Sequence, residues 1–294
     1  MARTGGNVMI TTTAGLIRRP GLRRPGRQVR LLARLGKGAV VRFGVLVLLL
    51  IAWQWATRNA GNLFFPSPTE ILDRILADWF SGPPTHLFVT SAFMADVAPS
   101  VGRTLAGWLL GSLIGVVVGV LAGSARTARQ IIDPPAQFLR ALPTPAVVPV
   151  FLLLFGASTG MRVALIAFGC VWPVLLNTMT AAASVDPRLR LTARALHLSR
   201  WRRLAQVALP SSAPAIAAGM RIGIALALIL MVLSEWVVAT SGLGFNLITA
   251  QQHFDMTGMW AAMALLAIVG YLINTVFLSV ESRLLHWHKG VRGK

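Results

Sequence analysis

Acidic side chains are scarce in this sequence: nine Asp and Glu stand against 28 Lys and Arg, and charged residues of all kinds fill only 13% of its 294 positions. With 55% hydrophobic residues and a mean hydropathy of +0.67, that scarcity excludes a soluble domain and fits an all-α polytopic membrane protein. In a soluble chain the net charge of +19 would point to nucleic acid. Here the basic residues lie in short segments between apolar runs, which orients a chain in a lipid bilayer, so no nucleic-acid partner is expected. Cysteine is reduced to Cys170, within an apolar run, which excludes an intrachain disulfide and reads as a small packing residue. No Gly-x-x-x-x-Gly-Lys-Ser/Thr cradle occurs, so no nucleotide should bind this chain. The only acid within an apolar span is Glu235, at an outer end, which leaves a stand-alone secondary transporter without ionisable groups at mid-membrane. The five histidines are scattered, and His286-Trp-His288 is spaced wrongly for one helix face. No catalytic residue, metal or cofactor is expected.

Six apolar spans are expected, at about residues 40–56, 100–123, 136–155, 163–183, 214–238 and 259–280, within a membrane domain of residues 39–285. Residues 1–42 hold ten basic residues and no acid, with Arg-Arg-Pro-Gly twice, so residues 1–38 read as a disordered basic cytoplasmic tail. Residues 58–98 hold four acids against two basic residues and should lie outside. Within them, Thr69 to Phe80 reads as an interfacial helix capped by Thr69, with Ile71, Leu72, Ile75, Leu76 and Trp79 on one face. Even span number and the basic segments at 124–140, 186–210 and 286–294 both put the N- and C-termini in the cytoplasm.

Three patterns stand out within the spans. Gly107, Gly111, Gly115, Gly119 and Gly123 recur every fourth residue, a stripe without side chains on which another helix can close. Pro143, Pro145 and Pro149 remove backbone donors and should break the third span, with the freed carbonyls facing protein or a solute path. Arg103, Arg221 and Glu235 lie toward span ends; Arg103 should reach the interface, and Arg221 and Glu235 are candidates for the path together with the prolines.

The loop at 186–210 carries six arginines, one acid and regularly spaced leucines and alanines. Asp186-Pro187 is a helix start. A turn is expected near His197, then a second short helix capped by Ser199 and stopped by Leu209-Pro210. Two short amphipathic helices at a membrane surface form a knob suited to a groove on a soluble partner.

The loop resembles the EAA loop of bacterial ABC import permeases: Ala193 and Leu209-Pro210 match that pattern and Val207 takes the place of its isoleucine, while Leu191, Thr192 and His197 stand where it has glutamate, alanine and glycine. Leu139 to Pro143, Val148 to Val150, Leu154 to Gly156, Ala213 to Arg221 and Glu235 resemble the nitrate, sulfonate, taurine and bicarbonate branch, over roughly residues 60–290. The resemblance implies a type I importer permease in the bacterial inner membrane, with two cytoplasmic ATPase subunits, an extracytoplasmic solute-binding protein and a second copy of itself as partners. It implies that Leu191, Ala193, Arg194, Ala195, Leu196, His197, Leu198 and Trp201 meet the ATPase.

Overall fold

A computed structural model of the chain describes residues 44–59, 64–84 and 88–286. The chain divides into two units, Met1–Ala52 and Trp53–Lys294. In the first, residues 44–52 are helical and belong to α1, residues 44–59. The expected basic tail at 1–38, the first residues of the expected span at 40–56, and the C-terminal tail beyond His286 lie outside the described residues.

The second unit is built of helices. They are α2 (Pro68–Trp79), α3 (Ala98–Ser124), α4 (Arg126–Ala141), α5 (Thr144–Phe155), α6 (Thr159–Ala183), α7 (Pro187–Ala195), α8 (Arg200–Arg203), α9 (Leu209–Val238), α10 (Leu243–Gln252) and α11 (Met256–Leu284). Among the described residues four continuous helical stretches are long and apolar enough to cross a bilayer: Phe93–Ser124, Thr159–Ala183, Arg200–Val237 and Met256–Leu284.

The glycine stripe sets the arrangement of the first two. A methyl group on Gly111 would stand 2.5 Å from the Ala167 carbonyl oxygen, and one on Gly115 would stand 2.9 Å from Val171 O. Only a bare Cα lets α3 lie this close to α6. Gly107, Gly111, Gly115, Gly119 and Gly123 face Ile166, Cys170, Val174, Thr178 and Ala182 in turn. Both helices advance four residues per step in the same direction, so α3 and α6 are parallel.

Two parallel helices require the chain to cross back between them, and α4 and α5 make that return. The sequence suggests one broken span at 136–155; the break instead separates two helices that meet at 98°. Leu142, before Pro143, takes an extended conformation (φ −63°, ψ 126°), as the pre-proline position favours, and Pro143 starts the next helix. Its 12 residues rise about 18 Å, short of a bilayer core of about 30 Å.

Against α6, α9 runs antiparallel: Gly219 lies against Pro173 and Val174, and Leu230 against Gly169. Cys170 is buried there, its thiol 3.2 Å from Gly223 O. Trp108 of α3 donates to Met220 O at 3.0 Å and packs edge-on against Phe277 of α11.

At the end where α3, α6 and α11 begin, α2 lies across the bundle. Its cap is Ser67 rather than the expected Thr69: Ser67 Oγ accepts from Glu70 N, and the Glu70 carboxylate accepts from Ser67 N at 2.8 Å. The reciprocal pair satisfies two free donors, and Pro68 suits the first helical position. Ile71, Ile75 and Trp79 are buried against Ala261, Ala262 and Leu265 of α11, whereas Leu72 and Leu76 stay exposed. Arg74 bridges Asp78 and Asp255, fastening α2 to the start of α11.

Gly111→Leu or Gly115→Leu should lower the stability of the detergent-solubilised protein by about 1–3 kcal/mol or more through overpacking. Gly102→Leu, where an added methyl meets nothing within 4 Å, is the matched control. Equal unfolding temperatures for Gly111→Leu and Gly102→Leu would remove the stripe as a packing surface.

Candidate functional site

At the end where α3, α6 and α11 finish, the chain forms a hairpin of α7 and α8. Asp186 caps α7 by accepting from Arg188 N at 2.8 Å, with Pro187 in its first turn. Arg190 reaches back, its Nη2 donating to Ala182 O and Ala183 O at 2.8 Å each. Those carbonyls belong to the last turn of α6 and have no partner within that helix, so the arginine binds hairpin to bundle.

The turn is a Schellman motif. Leu198 N donates to Ala193 O at 3.1 Å and His197 N to Arg194 O at 2.9 Å. His197, standing at the glycine position of the EAA pattern, has φ 50°. Histidine enters this left-handed region at modest cost, so the turn survives the substitution.

Ser199 then caps α8 through Arg202 N. The expected stop at Leu209-Pro210 does not occur: helix continues from Arg200 to Val237. A π-type stretch, Leu204–Ala208, immediately precedes Leu209-Pro210, and Leu209 N bonds to Leu204 O five residues back. Widening the ladder there accommodates a proline that has no N–H to give.

The hairpin exposes large apolar side chains: Leu191 is 62% exposed, Leu196 66% and Trp201 74%. Arg194, Ala195 and His197 are also exposed and Leu198 half-buried, whereas Ala193 is 3% exposed and faces the bundle. Seven of the eight residues expected to meet a partner thus reach the surface, and Ala193 is a packing residue.

The expected path residues are not gathered. Pro143, Pro145 and Pro149 are exposed along α5. Arg221 of α9 pairs with Glu281 of α11. Glu235 is fully buried, and Arg103, expected to reach the interface, is its partner instead: Arg103 Nη1 donates to Glu235 Oε1 at 2.7 Å. A buried carboxylate needs this compensation, because desolvation alone would cost several kcal/mol, on the order of the pair's attraction.

Ser100 Oγ lies 2.6 Å from the same carboxylate oxygen, and Gly244 N donates to the other at 2.9 Å. Asp96 accepts from Gly242 N and from Asn246. Gly242 has φ 130°, and a methyl group there would stand 2.4 Å from Glu235 Oε2. The network therefore joins the start of α3, the end of α9 and the start of α10. Sequence reading missed Asp96, Ser100, Asn246 and α10; the Gly242-Leu243-Gly244 run after a lone span acid was its one visible signal.

Among the described residues no three His, Cys, Asp or Glu side chains gather as a metal site. The family described as "Binding-protein-dependent transport system inner membrane component" matches residues 111–285. The putative aliphatic sulfonates transport permease protein of Bacillus subtilis (strain 168) is 31% identical over 208 residues, covering 71% of this chain and 75% of that one. The taurine transport system permease protein of Escherichia coli (strain K12) is 28% identical, covering 88% and 93%. The nitrate import permease protein of Synechocystis is 27% identical, covering 93% and 97%. Among solved structures, a chain of a methionine ABC transporter in inward facing conformations shares the fold, with a TM-score of 0.56 at 18% identity over 64% of this chain and 94% of that one.

Arg103→Ala and Glu235→Ala should each destabilise the purified protein by about 3–5 kcal/mol, since each strands a buried charge. The double variant should lose much less than the two together. Thermal unfolding of the three variants measures the coupling; additive losses would mean that the pair does not act as one unit.

Proposed function

The chain belongs to the family of binding-protein-dependent transport system inner membrane components, and we propose that its α7–α8 hairpin is the surface through which a separate ATPase subunit drives it. It is the inner-membrane permease subunit of an ABC importer and is not itself an enzyme. The observation that carries the proposal is the exposure of Leu191, Leu196 and Trp201 on a hairpin otherwise ringed by arginine. Exposed aromatic and aliphatic anchors rimmed by charge are the usual anatomy of a protein contact.

The hairpin is also suited to transmit force. Arg190 ties it to α6, and α8 continues without a break into α9. Closure of an ATPase pair against Leu191, Leu196 and Trp201 then rocks helices rather than bending a loop.

Six spans, with cytoplasmic termini, complete the reading. The four long helices and the α4–α5 pair supply up to five, and α1 is the sixth. Orientation follows from charge: the hairpin end carries Arg126, Arg129, Arg188, Arg194, Arg200 and Arg202, and the opposite end carries Glu70, Asp73, Asp78 and Asp96. The cargo is a small anion such as a sulfonate, taurine or nitrate, in keeping with the relatives named for those solutes. An extracytoplasmic solute-binding protein delivers it, and a second copy of this chain completes the path. The stand-alone secondary transporter is set aside, because the span acid Glu235 is committed to Arg103 and the relatives are ABC permeases.

Leu191→Asp combined with Trp201→Ala should abolish co-purification of the ATPase and solute uptake, while membrane insertion and the unfolding temperature of the lone subunit stay near wild type. Undiminished ATPase capture by this variant would sink the assignment of the hairpin.

A further inference from the structure

Behind the hairpin's outer surface lies a half-open pocket of about 380 Å³, lined by the ends of α3 and α6, by both arms of the hairpin and by the π-type stretch. Arg190 and Arg194 line it from α7, and Arg200 and Arg203 from α8, with no carboxylate in its wall. Among the described residues none of the four takes part in an ion pair. The nearest acid in sequence, Asp186, is engaged as the cap of α7. Arg203 Nε is buried and has no hydrogen-bond partner.

Arg190 is held by Ala182 O and Ala183 O, and water screens the exposed Arg194 and Arg200; the costly group is the buried Arg203 Nε, which lacks an acceptor. An anion with several acceptor oxygens in the space would supply that acceptor and balance the surrounding positive charge. Guanidinium forks match sulfate, sulfonate and phosphate groups in geometry as well as charge. The remaining wall is apolar, formed by Leu121, Val185, Leu204 and Val207, and accepts a short hydrocarbon group beside the oxyanion.

We propose that this pocket binds an oxyanion of the sulfate, sulfonate or phosphate class, held between the two arms of the hairpin. The occupant bridges α7 to α8 and so stiffens the hairpin. The group comes either from a free solute or from an anionic phospholipid headgroup. The proposal needs neither the ATPase contact nor any particular cargo.

The test uses the full-length subunit in nanodiscs of phosphatidylcholine, titrated with sodium sulfate and with butanesulfonate at an ionic strength fixed by sodium chloride. Binding is read by calorimetry and by thermal unfolding. The expected result is saturable binding that weakens at least about tenfold for each arginine lost in Arg194→Gln and Arg200→Gln. Both positions are exposed, so the variants should fold; Arg203→Lys, which removes the buried Nε, should weaken binding likewise, and Arg126→Gln, outside the pocket, should bind as wild type. Nanodiscs containing phosphatidylglycerol separate the sources. Competition between that lipid and sulfate assigns the site to a headgroup, and unchanged sulfate affinity assigns it to a free solute. Equal stabilisation by chloride, or equal affinity in the arginine variants, overturns the proposal. So does loss of ATPase capture in these variants without any oxyanion binding by wild type, which would assign the arginines to an acidic partner surface.

Discussion

The close, parallel contact between α3 and α6 is the constraint on which the other elements depend. It holds because five glycines on one helix meet side chains spaced every four residues on the other. Lipid supplies no hydrophobic drive to press helices together, so association rests on van der Waals fit at short range. Once the two helices are parallel, the chain has to recross between them, and the bent α4–α5 pair follows as a topological necessity. α9 then packs against both α6 and α3, and α11 packs onto the same cluster.

Much of this was legible in the sequence wherever the physics is local or periodic. The stripe of glycines declares itself at four-residue spacing. Asp186-Pro187, His197 and Ser199 mark the hairpin's start, turn and restart, and each performs that role. Neighbouring candidates for one role were harder to separate: Thr69 and Ser67 both suit a cap, and only Ser67 has Glu70 three residues on to close a reciprocal pair.

Illegible features came from two sources. Arg103 and Glu235 lie 132 positions apart, and nothing in either local sequence announces the other, so Arg103 reads as an interfacial charge and Glu235 as a path residue. The second source is backbone adaptation. Leu209-Pro210 reads as a helix stop because proline removes a bond, yet a π-type stretch absorbs the loss and the helix passes through. Composition near a proline does not distinguish a stop from a bulge.

That unbroken helix has a consequence for how events at the two faces of the membrane are related. Arg200 to Val237 spans 38 residues, about 57 Å at 1.5 Å per residue. One end carries Trp201 at the hairpin, and the other carries Glu235 in its sealed network with Arg103, Ser100 and Gly244. The two are stations on a single rod rather than sites joined by a relay. The hairpin and the buried Arg103–Glu235 pair therefore share one continuous element, with no joint of non-helical backbone between them.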